Sequence, residues 1–153
     1  MAEIDILCVI DGQTLMELSE QSGWNNTTSD NPRRFNHGSD IQPYLRMITR
    51  TANAGLNTQA TAELQVNANK DDRIRWRATS LTEDTNYSVE IVKFTYIDSY
   101  TVISNPEHNS YGNFWEAKAV GPGEESYWIV FKVMSRDHNK VRYFDWDPKV
   151  VVS

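Results

Sequence analysis

The sequence of 153 residues contains a single cysteine, Cys8. An intramolecular disulfide is therefore excluded, and so is a zinc site built from cysteine ligands. Basic residues are also few, because 15 Lys and Arg stand against 21 Asp and Glu and give a net charge of −6. This balance disfavours nucleic acid and anionic membranes as partners, since both are bound by clustered positive charge.

Long apolar runs are missing as well, and no stretch approaches the roughly 20 apolar residues of a membrane-spanning helix. The first residues, MAEIDILCVID, carry acidic side chains where a secretory signal needs positive charge. We therefore expect a cytoplasmic protein, in line with the scarcity of cysteine. The length predicts a single domain over residues 1–153, which is large enough to bury a core without disulfides or metals.

Alternation of apolar and polar residues is the dominant pattern that is present. In TAELQVNA, residues 61–68, every second residue is apolar, which is typical of a strand with one buried face. RIRWRATSL, residues 73–81, places Ile74 and Trp76 on one face and arginines on the other, so we predict a hairpin over 61–81. Further strands are predicted over residues 4–10, 44–51, 87–97, 99–103, 113–120, 126–134 and 141–146.

Turn-type sequences such as SNPEHNSYGN and GPGEE separate these runs. The predicted fold class is all-β, a two-sheet antiparallel β-sandwich in which immunoglobulin-like and jelly-roll connectivity are both open. At most one short helix is expected, near 14–21, with Thr14 as its cap and Glu17 completing a capping box. A long irregular loop is expected at about 19–40, and loops of this length are usually functional or mobile.

The stretch VRYFDWDPKVVVS carries a local pair of carboxylates. Asp145 and Asp147 flank Trp146, so in a strand both point to one face, where they can bind a hard cation or act in acid–base chemistry. Alternatively, Asp147 before Pro148 marks the end of a strand and Trp146 belongs to the core. No third ligand stands at a recognisable spacing, so we predict neither a metal site nor a cofactor here.

Other candidate chemistry is sparse. The three histidines, His37, His108 and His138, stand alone in turn-like segments, and no nucleophile elbow or phosphate-binding glycine loop is present. We therefore predict no catalytic residues.

The five tryptophans divide by context. Trp76 and Trp128 lie in alternating strands and are expected in the core. Trp24 lies in the long polar loop and is expected to be exposed. Trp24, Asp145 and Asp147 are therefore the predicted ligand or interface contacts.

Four segments together resemble the PixA/AidA-type inclusion-body protein family of bacteria over nearly the full length of the chain. They are IDILCVID at 4–11, YLRMITR at 44–50, AGLNTQATAELQVNANKDDRIRWRATSL at 54–81 and YFDWDPKVVV at 143–152. The IDIL opening and the Trp-Asp-Pro motif followed by valines are the most specific of these. The resemblance implies a small, cytoplasmic, non-enzymatic β-protein. Some members accumulate as intracellular crystalline inclusions, and some are produced under quorum-sensing control.

The chain departs from the inclusion-forming member of that family in one respect, because that protein is methionine-rich and this chain has four Met. A methionine-storage role is therefore not expected. The sequence is compatible with two functions. The first is an inclusion-body or accessory protein that acts through self-association as a dimer or larger assembly. The second is a lectin-like module that binds a small molecule or glycan through exposed aromatics and loop carboxylates.

Overall fold

The computed structural model describes residues 1–82, 85–97 and 99–153. Over these residues the chain is mostly β-structure, as the alternating pattern predicts. The strands are β1 (Glu3–Ile10), β2 (Arg33–Arg34), β3 (Leu45–Ile48), β4 (Ala54–Gly55), β5 (Gln65–Ala68), β6 (Arg73–Ser80), β7 (Tyr87–Thr95), β8 (Glu107–Asn109), β9 (Phe114–Lys118), β10 (Gly123–Ser126), β11 (Trp128–Ser135), β12 (Val141–Trp146) and β13 (Lys149–Val152). The helices are α1 (Gly12–Ser22), α2 (Gly38–Ile41) and a 3₁₀ turn, Thr51–Asn53.

The described strands form three mixed sheets, so the predicted arrangement of two antiparallel sheets is wrong. The five-stranded sheet has the order β3-β1-β6-β9-β8, and the four-stranded sheets have the orders β10-β13-β5-β4 and β2-β12-β11-β7. Each sheet contains one parallel pair: β1 with β6, β5 with β13, and β2 with β12. Alternation identifies a strand and its buried face, but it does not identify the neighbour to which the strand is hydrogen-bonded.

The hairpin predicted over residues 61–81 does not form. β5 pairs with β4 and β13, whereas β6 pairs with β1 and β9, so the turn at 69–72 leads from one sheet into another. Asp72 holds this turn, because its carboxylate accepts hydrogen bonds from the backbone N–H of Asn69 at 2.8 Å and of Ala2 at 2.7 Å.

One buried apolar cluster contains residues from all three sheets. The even-numbered residues of β1 point into it together with Ile74 and Trp76 of β6, while Glu3, Asp5 and Leu7 face outward. Trp76 and Trp146 are both buried, as predicted. The Trp76 indole N–H donates to the Tyr127 hydroxyl at 3.0 Å, so this polar group is satisfied inside the core.

Helix α1 begins two residues before the predicted helix, and its cap is a different residue. Asp11 is the N-cap, and its carboxylate accepts a hydrogen bond from the Thr14 backbone N–H at 3.1 Å. Thr14 therefore lies inside the helix. The helix ends at Gly23, whose φ of 75° is a left-handed conformation that glycine adopts without strain. Leu15 and Met16 are buried where the helix packs against β7 and β11.

The segment at 19–40 is more ordered than the predicted irregular loop. Its first residues belong to α1, β2 crosses it at Arg33–Arg34, and α2 begins at Gly38. The prediction of at most one short helix is therefore wrong as well. Both new elements are too short to produce a periodic pattern, since β2 has two residues and α2 has four.

Three further predictions are corrected in the second half of the chain. GPGEE is not only a turn, because its last three residues belong to β10 (Gly123–Ser126), which pairs with β13. SNPEHNSYGN contains the short strand β8. Over 99–103, Ile103 forms an isolated bridge with Ala119 instead of a continuous strand. No helix among the described residues is long and apolar enough to cross a membrane.

Candidate functional site

Strand β2 consists of two consecutive arginines and lies at the edge of a four-stranded sheet. It runs parallel to β12, with Arg33 opposite Phe144 and Arg34 opposite Asp145. Because successive side chains of a strand point to opposite faces, the two arginines lie in different surroundings. Arg33 lies beside Trp24, whereas Arg34 lies on the outer face of the sheet beside Asp145.

Arg34 and Asp145 form a partly buried, two-pronged ion pair. The Arg34 Nη2 atom lies 2.7 Å from Asp145 Oδ2, and Nε lies 3.2 Å from the same oxygen. The Asp145 side chain is only 1% exposed, while that of Arg34 is 36% exposed. Burial raises the pKa of the Asp145 carboxyl, and the hydrogen bond and charge of Arg34 oppose part of that rise.

Two aromatic rings hold the Arg34 guanidinium in place. Its central carbon lies 4.1 Å from the ring centre of Trp128 and 5.0 Å from that of Tyr96. Trp128 was predicted to be a core residue, and this is wrong, because it is half-buried on the outer face while Ile129 points into the core. The guanidinium is thus fixed by a carboxylate and by aromatic faces.

The same outer face contains a small cavity. Cross-strand neighbours place Arg34, Asp145, Val130 and Lys93 in one row over β2, β12, β11 and β7. The loop residues Ser29, Asp30 and Pro32 complete the wall, and the Lys93 ammonium group lies 2.8 Å from the Asp30 carboxylate.

The cavity has a volume of about 150 Å³, and we call it the outer-face cavity. Its lining residues are Ser29, Asp30, Pro32, Arg34, Lys93, Thr95, Tyr96, Val130 and Asp145. Asp145 is thus the one predicted contact that lines it.

Trp24, predicted to be exposed, is half-buried and packs against the core. Its ring meets Phe35 edge-on at 6.4 Å between centroids, and the Arg33 guanidinium covers it at 4.2 Å. The loop before β2 therefore folds back onto the sheet. Trp24 helps to anchor that loop, on the opposite side of β2 from Asp145.

Asp147 belongs to a different cleft, so the predicted pair of carboxylates does not form one site. It lines a space of about 310 Å³ together with Glu63, Ser126 and Lys149. Burial raises the pKa of Asp147, and the negative charge of Glu63 adds to the rise. Across the described part of the chain, no group of three or more His, Cys, Asp or Glu side chains is placed to hold a metal ion.

The one cysteine is sealed in the core. Cys8 is 0% exposed, and burial raises the pKa of its thiol to about 12. A thiol in this setting carries almost no thiolate at neutral pH. Cys8 therefore contributes packing and not nucleophilic chemistry.

Sequence reasoning found Asp145 but missed its partners, Arg34, Lys93, Thr95 and Tyr96. The available signal was the pair of arginines after Pro32, inside the segment predicted to be a loop. Nothing in the local pattern indicates that these residues meet, because Arg34 and Asp145 are 111 positions apart.

Comparisons with known proteins agree on one family. The family model described as PixA, inclusion body protein, matches residues 2–113. Sixteen chains of solved structures are similar to this one. Among them is the crystal structure of an inclusion body protein (PixA) from Burkholderia cenocepacia J2315, with a TM-score of 0.77 and 19% sequence identity. The match covers 99% of this chain and 95% of that chain, and it shows a shared fold. No curated protein matches the sequence.

Proposed function

The chain belongs to the PixA family of inclusion body proteins, and from that membership we propose that it is a non-enzymatic cytoplasmic protein that accumulates through self-association. A protein packed into an inclusion contacts other copies of itself, so part of its surface has to be self-complementary. The inert Cys8 thiol and the ion-paired Asp145 support a role without catalysis. Production under quorum-sensing control, which the resemblance implies, stays a prediction.

The observation that carries the proposal is the outer face of the five-stranded sheet. We define this face by the outward residues of β3, β1, β6 and β9, which include an apolar end. Leu7 lies directly opposite Ile48, and the two side chains are 38% and 42% exposed. Val9, one step further along β1, adds to this apolar end. Contiguous exposed apolar side chains are a feature of interaction surfaces.

Charge on the same face is arranged in stripes. β1 presents acidic side chains, Glu3 and Asp5, and the adjacent β6 presents Arg73, Arg75 and Arg77. Within the chain these stripes are already linked, by Arg75 to Glu3 at 2.9 Å and by Arg77 to Asp5 at 2.6 Å. An acidic stripe beside a basic stripe is self-complementary.

A second copy fits this pattern when it is rotated about a two-fold axis that runs along the strands between β1 and β6. The rotation places β1 of each copy over β6 of the other, so acidic residues face arginines twice. Such a contact closes a dimer. Growth of an inclusion then requires a further contact elsewhere on the surface.

The test is the oligomeric state of a Leu7→Lys, Ile48→Lys variant, measured by size-exclusion chromatography with light scattering over a range of protein concentrations. The two added ammonium groups remove the apolar end, and because β1 of one copy lies over β6 of the other, the group at position 7 faces Arg77 of the second copy, where like charges repel. We expect the wild type to dimerise and the variant to remain monomeric. High salt should weaken the wild-type dimer, because exposed charge pairs are screened.

The matched control is Leu56→Lys, Tyr96→Lys, which adds the same charge at residues that are 79% and 65% exposed and that follow β4 and β7 in the other two sheets. This control should dimerise like the wild type. A wild type that stays monomeric at every concentration, or a Leu7→Lys, Ile48→Lys variant that still dimerises, contradicts the proposal.

A further inference from the structure

We propose that the outer-face cavity binds one neutral sugar or a closely similar small polyol. The cavity lies on the β2-β12-β11-β7 sheet, whereas the proposed self-association face lies on the five-stranded sheet. The inference therefore goes beyond self-association and stands on different residues. Four properties of the cavity carry it: its balance of charge, its free hydrogen-bonding capacity, its aromatic wall and its size.

The charges around the cavity are balanced in pairs. Arg34 is paired with Asp145, and Lys93 is paired with Asp30. A charged ligand gains no net attraction here, because it has to compete with a partner that is already in place. A neutral ligand with several hydroxyl groups accepts from the cations and donates to the carboxylates while both pairs stay intact.

One wall of the cavity has unused hydrogen-bonding capacity. The Thr95 hydroxyl is shielded from solvent and has no hydrogen-bond partner. A buried hydroxyl without a partner is unfavourable, so a ligand oxygen that reaches it when the lining side chains shift supplies the missing bond and is favoured. Val130, which is 1% exposed, forms an apolar floor next to it. Polar walls around an apolar floor match the two kinds of surface on a sugar ring.

Tyr96 provides the aromatic wall. Its side chain is 65% exposed although the ring lies beside Arg34, so much of the aromatic surface is free. Its φ of 58° lies in the left-handed region, which bulky residues seldom adopt. Backbone strain of this kind concentrates at sites where a side chain has to be held in one direction. An exposed ring beside carboxylates is the arrangement on which the C–H face of a sugar stacks.

The size of the cavity limits the ligand to one ring. Its volume of about 150 Å³ is well below the roughly 300–1,000 Å³ of pockets that take drug-sized ligands. A single pyranose or furanose fills this space, whereas a longer glycan has to extend past Tyr96 into solvent.

The experiment is saturation-transfer NMR of the purified full chain with glucose, mannose, galactose and the charged sugar glucuronate, followed by calorimetric titration of any sugar that binds. We expect saturable binding of at least one neutral hexose at millimolar concentration and weaker binding of glucuronate. Tyr96→Asn removes the ring but tolerates the left-handed backbone, and it should lower the affinity about ten-fold. Thr95→Val keeps the shape without the hydroxyl and should lower the affinity by about three- to ten-fold.

The matched control is Tyr100→Asn. Tyr100 is also an exposed tyrosine in the left-handed region, with φ of 55°, but it does not line the cavity. This variant should bind the hexose as the wild type does. The proposal is overturned if the wild type binds none of the neutral hexoses, if both cavity variants keep full affinity, or if glucuronate binds more tightly than the neutral sugars.

Discussion

Among single residues, Trp76 makes the clearest contribution to the core. It is fully buried, its ring lies 4.8 Å from Phe94 and 5.4 Å from Tyr127 between centroids, and its N–H is hydrogen-bonded to the Tyr127 hydroxyl. We predict that Trp76→Ala lowers the free energy of unfolding by about 3–5 kcal/mol, the range for large aromatic core residues. Urea denaturation followed by fluorescence measures this change.

Tyr111→Ala serves as the control for this measurement, because that side chain is fully exposed and its loss should change stability by less than about 0.5 kcal/mol. Equal urea midpoints for Trp76→Ala and wild type would show that the assignment of faces on β6 is wrong.

Trp76 and Trp128, which were both assigned to the core from alternating strands, show what alternation can resolve. Around Trp76 the pattern is one-sided, with arginines at 73, 75 and 77, so only one face of the strand can be buried. Around Trp128 the sequence SYWIVFKVM is apolar at both parities, and the pattern does not distinguish the inward set. Ile129 and Phe131 take the core side, which leaves Trp128 on the outer face with Arg34.

At the scale of elements, the start of α1 distinguishes two capping schemes. In the structure the Asp11 carboxylate accepts from the Thr14 backbone N–H, whereas the sequence pattern predicts Thr14 itself as the cap. We predict that Asp11→Ala costs about 0.5–2 kcal/mol of stability, the usual loss for an N-cap. Thr14→Ala should be close to neutral, because alanine favours a helix interior and the backbone N–H remains. Thermal or urea unfolding of the two variants gives the comparison, and the reverse order of stability would restore the sequence-based cap.

The pairing of elements could not be predicted from local sequence. β5 and β6 are joined by a turn of ordinary hairpin composition, yet the Asp72 side chain and the parallel partners β13 and β1 lead them into separate sheets. Likewise β2 is held by Arg34 and Asp145, which lie at distant points in the chain. Such pairings depend on which distant strand presents a matching face. The positions of the long strands were therefore predictable from the sequence, whereas the short strands β2, β8 and β10 and most of the candidate site were not.

For the whole molecule, we predict that stability does not depend on a bound metal. Asp145 is engaged by Arg34, and Asp147 lies in another cleft, while calcium needs six or more oxygen ligands. A chelator should therefore leave Tm unchanged, and added calcium should not raise it, because only a ligand that prefers the native state stabilises by mass action. Differential scanning calorimetry makes this measurement. A calcium-dependent rise in Tm that disappears in the Asp145→Asn, Asp147→Asn double variant would contradict the prediction.

The parallel pairing of β1 with β6 has a consequence during synthesis on the ribosome. Leu7 pairs with Ile48, so β3 covers one edge of β1, but Ile4 pairs with Ile74, so the other edge waits until the chain has grown by about 70 residues beyond Ile4. At roughly 5–20 residues per second, that wait lasts roughly 4–14 s. Throughout that time, the unpaired edge of β1 in a nascent chain, with Ile4, Ile6 and Ile10 on its apolar face, is open to the same edge on the next chain of a polysome. The rate of translation therefore determines the fraction of nascent chains in which β1 contacts another chain before it pairs with its own β6.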